Sequence, residues 1–411
     1  MNKVEKVKIK KIEIKNYRSC IDTQFEPNSG LSSLIGPNGS GKTTILSAFQ
    51  LLNSLSTSRY QNHRKNSPDS FSSDCLLKVT FEWETYKITY EAKVNLVNNE
   101  KNEDEVLNSR ESWSFYQITK SRKKINLPIS IILENYRYSG HDIRKELAEF
   151  LGNFYRSEQA GKLATEALHD IAHFAQSISY YSASIFTNPS SCPISFEVES
   201  ESGARRGISI TGHKKFLYDL YDAYKKDSDE YNHFIELVGP EGLNLIDGLS
   251  FQEIQTSAST YKVTVGGHIT TKEKKNNLII PNFKILENSL SPSQLSEGTF
   301  RTLGILFYLI KDHSPLMLIE EPEVCVHHGL LSSIIQLIKL YAQEKQIIIS
   351  THSDQLLDHL EIESVFKVDR TEEGTKIENI KKRLSNEELK ALREYLRNEG
   401  GLGEYWKHGA L

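Results

Sequence analysis

The sequence is poor in cysteine and in long apolar runs, and these two shortages exclude whole classes of protein. Only four cysteines occur among its 411 residues, far apart and without a Cys-x-x-Cys pair. Disulfide-rich secreted scaffolds are therefore excluded, and a reduced, cytoplasmic compartment is expected. The apolar run Leu303–Ile310 is far shorter than the roughly 18 residues of a membrane helix, so we predict no membrane partner. The lysine-rich start has no uninterrupted apolar core, so we expect no secretory signal.

The chain also lacks a strong excess of charge of one sign. Its formal net charge is −4, so nothing draws the whole molecule to nucleic acid, and any DNA contact must come from local basic patches. Four such patches occur, at Lys120–Lys124, Arg205–Arg206, Lys272–Lys275 and Lys381–Arg383. Taken separately, each is more often a solvated loop than a binding surface.

What the sequence does contain is a complete phosphate-binding loop. Residues 36–44 read GPNGSGKTT, after a strand-like run and before a helix-like one. In such a loop backbone N–H groups surround the phosphates, the lysine reaches the β- and γ-phosphates, and the first threonine hydroxyl ligates Mg²⁺. We therefore predict binding of ATP and Mg²⁺. The predicted nucleotide contacts are Asn38, Gly39, Ser40, Gly41, Lys42, Thr43 and Thr44.

Three further motifs lie in the last 120 residues. Ser296 and Gly298 precede an apolar helix, whose start would offer a hydroxyl and free N–H groups to an anion. Glu320 and Glu321 end a strand-like run, and His352 follows another. Strand ends of this kind meet at the carboxyl edge of a parallel sheet, where ligands bind in open α/β folds.

In this order the four motifs resemble an ABC-type ATPase, and more narrowly the RecF, SMC and OLD group. The resemblance covers residues 7–50 and 291–411. It implies that Glu320 takes the Mg²⁺-water position beside Thr43, that Glu321 is the general base, and that His352 touches the γ-phosphate. Glu320 departs from the usual aspartate, and no convincing glutamine marks the Q-loop.

The resemblance also implies a homodimer, or a higher oligomer built on it, with ATP at the interface. Ser296 and Gly298 of one copy would then face the γ-phosphate held by the other. Arg18, after the first strand, matches a phosphate or base contact of SMC-like relatives, although a simple surface charge explains it nearly as well.

We predict an α/β fold: an ABC-type P-loop ATPase head with a mixed sheet, interrupted by a helical arm and a β-rich segment. The predicted segments are the N-terminal half of the head (1–97), an inserted loop and helical arm (98–177), a return strand with an α+β segment (178–290), and the C-terminal half (291–411). Within this plan Val7–Ile14 is expected to form edge strands. Leu76–Val94 is expected to be a β-hairpin, and Arg144–Phe174 the helical arm.

Two functions are compatible with these motifs. OLD nucleases carry a TOPRIM domain after the switch histidine, and the 59 residues after His352 are too few for one. The resemblance therefore favours the ATPase component of an anti-phage system such as Septu or PARIS, controlling a separate effector, a nuclease or toxin. The alternative is a RecF-like repair clamp that binds DNA directly. Lys42 and Ser296 are 254 positions apart, which argues against a transporter ATPase.

Overall fold

The computed structural model describes residues 7–56, 73–98, 104–117, 126–127, 133–134, 158–182, 188–199, 212–263, 269–324, 326 and 328–407. The chain divides into two compact units. The first contains residues 1–181, 314–322 and 335–411, and the second contains residues 182–313 and 323–334. Each unit is described by itself.

A six-stranded, mostly parallel sheet organises the first unit. Its order is β17-β16-β3-β15-β14-β9. The pairs β16–β3, β3–β15 and β15–β14 are parallel, whereas β17 is antiparallel to β16. The central strands are apolar and buried on both faces, as expected for a parallel sheet. The strands are β3 (Leu31–Ile35), β9 (Ser179–Ser182), β14 (Leu316–Glu320), β15 (Gln346–Thr351), β16 (Val365–Thr371) and β17 (Gly374–Asn379).

An antiparallel sheet lies in the same unit. Its order is β2-β1-β4-β5-β6-β7, with β8 paired to β6. The predicted hairpin over 76–94 is confirmed, since it falls on β4 and β5. The predicted edge position of residues 7–14 is wrong, because β1 pairs on both sides. The strands are β1 (Val7–Tyr17), β2 (Cys20–Phe25), β4 (Ser73–Trp83), β5 (Tyr86–Asn98), β6 (Asp104–Gln117), β7 (Asn126–Leu127) and β8 (Leu133–Glu134).

The Gln346 side chain connects the two sheets. The Gln346 amide accepts a hydrogen bond from the Ile9 backbone N–H at 2.8 Å and donates to the Ile9 carbonyl at 3.0 Å. It also donates to the Asn28 carbonyl at 2.8 Å. Gln346 is only 1% exposed, so all of its polar contacts are internal, as a buried amide requires.

The helices of the first unit cover the sheets and build one apolar core. On α1 the buried residues include Ile45, Leu46 and Phe49, and Phe49 meets Phe25 edge to face with ring centroids 6.3 Å apart. The predicted helical arm is confirmed where it is described, over 158–174; residues 144–157 lie outside the described part of the chain. The helices are α1 (Lys42–Ser56), α2 (Glu158–Gln176), α7 (Asp354–Leu357), α8 (Ile380–Arg383), α9 (Asn386–Asn398) and α10 (Leu402–Lys407), while α6 (His328–Tyr341) runs across the boundary between the units.

The second unit joins a small antiparallel sheet to three helices. The sheet has the order β10-β12-β11, with β13 paired to β12. The elements are β10 (Phe196–Glu199), α3 (Gly212–Lys225), α4 (Asp229–Val238), β11 (Gly248–Val263), β12 (Ile269–Ile285), β13 (Asn288–Leu290) and α5 (Glu297–Lys311).

A buried carboxylate fixes α5 to α3. Asp219 accepts hydrogen bonds from Lys215 at 2.6 Å and from the Tyr308 hydroxyl at 3.1 Å, and its backbone carbonyl accepts one from Lys311. Burial alone would raise the pKa of Asp219, but the Lys215 hydrogen bond and the charges of Lys215 and Lys311 together lower it. The carboxylate therefore stays ionised and holds the helix that begins at Ser296.

The predicted fold class, α/β with a mixed sheet, is confirmed. No helix in the described ranges is long and apolar enough to cross a membrane.

Candidate functional site

Three strand ends meet at one edge of the six-stranded sheet. Glu320 of β14 pairs in register with Ser350 of β15, and Ser350 pairs with Leu34 of β3. Because the three strands are parallel, the segments that follow them leave the sheet side by side. Those segments are the phosphate loop, Glu321 and His352, so the edge gathers the chemistry that the sequence predicted.

Positions 41 and 39 of the phosphate loop favour glycine for different reasons. Gly41 has φ +110°, and a Cβ there would lie 2.2 Å from the Thr375 hydroxyl. Gly39 has φ +78°, a left-handed conformation that glycine adopts without strain, although the space around it is open. The loop therefore needs Gly41 for both space and conformation, and Gly39 for conformation alone.

The Lys42 side chain lies inside the loop. Its ammonium donates to the Gly36 carbonyl at 2.7 Å and to the Pro37 carbonyl at 3.0 Å. Lys42 is only 6% exposed, and a buried charge of this kind is costly unless partners solvate it. The loop thus holds a cation at its centre, where an anion would be attracted.

Thr43 and Glu320, the two residues predicted to hold Mg²⁺, are in direct contact. The Thr43 hydroxyl donates to Oε1 of Glu320, across 277 positions of sequence. The second carboxylate oxygen, Oε2, accepts a hydrogen bond from the Tyr180 hydroxyl of β9. Hydroxyl and carboxylate oxygens are hard ligands of the type that Mg²⁺ prefers. The longer side chain of glutamate therefore still reaches the phosphate loop.

Glu321 and His352 form the exposed side of the site. Nδ1 of His352 lies 3.3 Å from Oε1 of Glu321, with side chains 45% and 37% exposed. The Glu321 backbone is left-handed, with φ +48°, and its N–H donates to the Ser350 carbonyl at 2.9 Å. This bond holds Glu321 in a conformation that non-glycine residues seldom adopt.

A buried threonine near the C-terminus supports the phosphate loop. Thr375, fully buried in β17, has its hydroxyl 3.1 Å from the Ser40 carbonyl and 2.9 Å from the Ser19 hydroxyl. Ser19 in turn donates to the Thr44 hydroxyl at 3.1 Å. The sequence did not predict a role for Thr375, because the residues around it do not indicate a contact with a residue more than 300 positions away.

Arg18 lies beside α1, the helix that the loop opens. Its guanidinium donates to the Ser47 hydroxyl at 3.3 Å and lies 5.3 Å from the centre of the Tyr17 ring. Like Asn16, Arg18 has a positive φ, +51°. Asn38 is exposed at the tip of the loop.

Ser296 and Gly298 belong to the second unit. Ser296 caps α5, because its hydroxyl accepts a hydrogen bond from the Thr299 N–H at 3.1 Å. Gly298 lies in the first turn of that helix. The predicted helix start is therefore confirmed, while its role toward ATP stays a prediction.

The residues present fit a nucleotide with its metal. The Ser40 and Ser350 hydroxyls are buried, and neither has a hydrogen-bond partner among the residues described. Buried polar groups are rarely left unsatisfied, and both belong to the segments that form this site. Neither at this site nor elsewhere in the described ranges do three or more His, Cys, Asp or Glu residues form a group that could hold a metal ion by themselves.

Only one of the basic patches has described side chains. Lys381, Lys382 and Arg383 form ion pairs with Glu363, Glu26 and Asp369 respectively. The patches at 120–124 and 205–206, and the side chains at 272–275, lie outside what the structure describes. DNA contact through these patches stays a prediction.

Comparison with known proteins identifies one family. A family described as "AAA domain, putative AbiEii toxin, Type IV TA system" matches residues 31–358.

Curated relatives match over shorter stretches. The DNA replication and repair protein RecF of Pseudoalteromonas atlantica is 35% identical over 72 residues, which is 17% of this chain and 20% of RecF. The DNA double-strand break repair Rad50 ATPase of Methanopyrus kandleri is 42% identical over 55 residues, 13% of this chain and 6% of that protein. The chain thus spans a fifth or less of these relatives.

Among solved structures, the SMC head domain from Thermotoga maritima aligns over 90% of this chain and 98% of its own, with 14% identity and a TM-score of 0.43. An Smc head bound to the C-winged helix domain of ScpA aligns over 92% of this chain and 99% of its own, with 13% identity and the same score.

Proposed function

The chain belongs to this AAA-domain family, and we propose that it binds and hydrolyses ATP in sites completed by a second copy of itself. The observation that carries the proposal is the convergence of Lys42, Thr43, Glu320, Glu321 and His352 at one sheet edge. Such an edge is where open α/β folds bind ligands.

In this proposal the loop binds the phosphates and α1 presents its positive end to them. Lys42 exchanges its loop carbonyls for phosphate oxygens, while Thr43 and Glu320 hold Mg²⁺. When bound, the metal supplies positive charge against the charge that develops on the γ-phosphate. Glu321 accepts the proton of the attacking water, and His352, 3.3 Å from it, keeps that carboxylate oriented.

The second copy contributes the start of α5. Its capped N-terminus, with Ser296 and Gly298, offers N–H groups and a positive dipole end to the γ-phosphate of the other copy. The dimer is then isologous, with two equivalent sites.

Mixing two inactive variants tests this arrangement. Lys42→Ala and Ser296→Arg homodimers should both be inactive, whereas their heterodimer contains one intact site. An equimolar mixture should therefore recover ~25% of wild-type ATPase activity, given random pairing in a two-fold dimer. Native mass spectrometry would verify that heterodimers form. If they form and no activity returns, the shared site is wrong; if the wild-type protein has no ATPase activity, the whole proposal is wrong.

We further propose that the ATPase controls a separate effector, a nuclease or toxin, in anti-phage defence. The separate effector is proposed from the resemblance to anti-phage ATPases, and the family description adds a putative toxin of a toxin–antitoxin system. ATP would act by binding one assembly more tightly than another. Co-expression with the neighbouring gene product should give a complex whose toxicity depends on Lys42. Robust DNA or RNA cleavage by this chain alone, lost in Glu321→Gln, would contradict it.

The matches to RecF and Rad50 favour a second candidate, a clamp that binds DNA directly. Binding of plain duplex DNA by the purified chain with ATP, weakening steeply as salt rises, would support the clamp. Absence of such binding at low salt would exclude it.

A further inference from the structure

The Glu320 carboxylate is held from two sides. Thr43 donates to Oε1 and Tyr180 donates to Oε2. All three residues belong to the first compact unit. Thr43 comes from the phosphate loop, whereas Tyr180 comes from β9, the neighbour of β14 in the sheet. The two hydroxyls therefore reach the carboxylate from independent elements.

The two contacts differ in their relation to a bound metal. The Thr43 hydroxyl has one proton and two lone pairs, so it can ligate Mg²⁺ through a lone pair while it donates to Oε1 of Glu320. Tyr180 donates to the other oxygen, Oε2, and belongs to no predicted metal ligand. Tyr180 therefore restrains the orientation of the carboxylate from outside the predicted metal site.

Glutamate needs such a support more than aspartate would. Its extra methylene adds one rotatable bond, and fixing a flexible side chain costs conformational entropy. The Tyr180 ring is itself fixed, because it packs against the buried apolar core of the first unit. The fixed Tyr180 hydroxyl on β9 thus restrains the flexible Glu320 side chain at the end of the adjacent strand, β14.

We propose that Tyr180 is a positioning residue of the Mg²⁺ site, setting the metal affinity through Glu320 rather than touching the metal. The inference rests on the proposed ATPase function. Outer partners of metal ligands typically change metal affinity by about 10- to 100-fold when removed.

Tyr180→Phe removes only the hydroxyl and leaves the packed ring. Tyr181→Phe is the matched control, because successive strand residues face opposite sides of a sheet. The readout is equilibrium binding of a fluorescent ATP analogue, measured in EDTA and then during Mg²⁺ titration. We expect unchanged affinity in EDTA, and a Mg²⁺ midpoint raised about 10-fold or more in Tyr180→Phe but not in Tyr181→Phe.

A double-mutant cycle separates positioning from a merely structural role. In a Glu320→Gln background the ligand is already lost, so Tyr180→Phe should shift the Mg²⁺ midpoint no further. If Tyr180→Phe shifts the Mg²⁺ midpoint equally in the wild-type and Glu320→Gln proteins, the proposal is wrong. It is also wrong if Tyr180→Phe alone leaves the Mg²⁺ midpoint at the wild-type value. If the wild-type protein binds the analogue with no Mg²⁺ dependence, the failure belongs to the proposed function instead.

Discussion

The phosphate loop and the Glu321–His352 pair lie at the same sheet edge but are held in different ways. Lys42 is buried and donates hydrogen bonds to two loop carbonyls, and the Thr375 hydroxyl contacts the Ser40 carbonyl of the loop. Glu321 and His352 are more than a third exposed, and the contact between their side chains is open to solvent, so it contributes little to stability. The phosphate loop is thus the rigid half of the site before any ligand arrives, whereas the Glu321–His352 pair, to which the proposed function assigns hydrolysis, is the open half.

The largest effect should come from the centre of the rigid half. Lys42→Ala removes the cation that meets the phosphates, so we expect ATP affinity to fall by about 10- to 100-fold and hydrolysis to be lost. Calorimetric titration with ATP measures the binding. Lys382→Ala, at an exposed ion pair with Glu26, is the matched control. Unchanged affinity in Lys42→Ala would mean that ATP binds elsewhere.

In the open half, a substitution should lower turnover and leave ATP affinity unchanged. Glu321→Gln keeps the side-chain shape but removes the basic oxygen, so turnover should fall by roughly 10² or more while ATP affinity is retained. Glutamine also avoids the change of backbone preference that alanine would bring at φ +48°. Stopped-flow phosphate release measures the loss, with Glu344→Gln as an exposed control. Wild-type turnover would place the base on another residue.

His352→Gln should have a smaller effect, because His352 acts partly through Glu321. We expect turnover to fall about 10-fold and the melting temperature to stay unchanged, since a solvent-exposed polar contact stabilises little. The double variant with Glu321→Gln should lose less than the product of the two single losses. Fully multiplicative losses would indicate that the two side chains act independently.

We expect the smallest effect from Thr375, whose hydroxyl contacts the phosphate loop. Thr375→Val removes the hydroxyl near the Ser40 carbonyl at constant volume, and one lost hydrogen bond of about 1 kcal/mol predicts a roughly fivefold loss of ATP affinity. Thr375→Ser keeps the hydroxyl and should bind ATP as the wild type does. Equal affinity in the two variants would show that Thr375 only fills space.

Local signals predicted much of this site. The glycine spacing of the phosphate loop, the strands that end at Glu320 and Thr351, and the cap at Ser296 each depend on neighbouring residues. Their positions could therefore be predicted. The capping box at the start of α9, formed by Ser385 and Glu388, is local in the same way, because its two residues are only three positions apart.

The contacts that a single sequence could not reveal are those made across the sheet. The strand at 179–182 was expected, but not that Tyr180 would reach Glu320, because this depends on which strand lies next to β14. The place of β1 inside its sheet was missed for a similar reason: alternation of lysines and apolar residues shows one buried face, not the number of neighbours. Thr375 and Gln346 likewise act on partners more than 300 positions away.

These distant contacts determine when the nucleotide site can form during synthesis. The phosphate loop emerges early, but Thr375, which contacts Ser40 across 335 positions, is added much later. At about 5–20 residues per second, that interval lasts roughly 20 to 70 s. During this time β3 lacks its parallel neighbours β15 and β16, and its unpaired edges are open to other chains. We therefore expect the nascent N-terminal half to be open to aggregation during this interval.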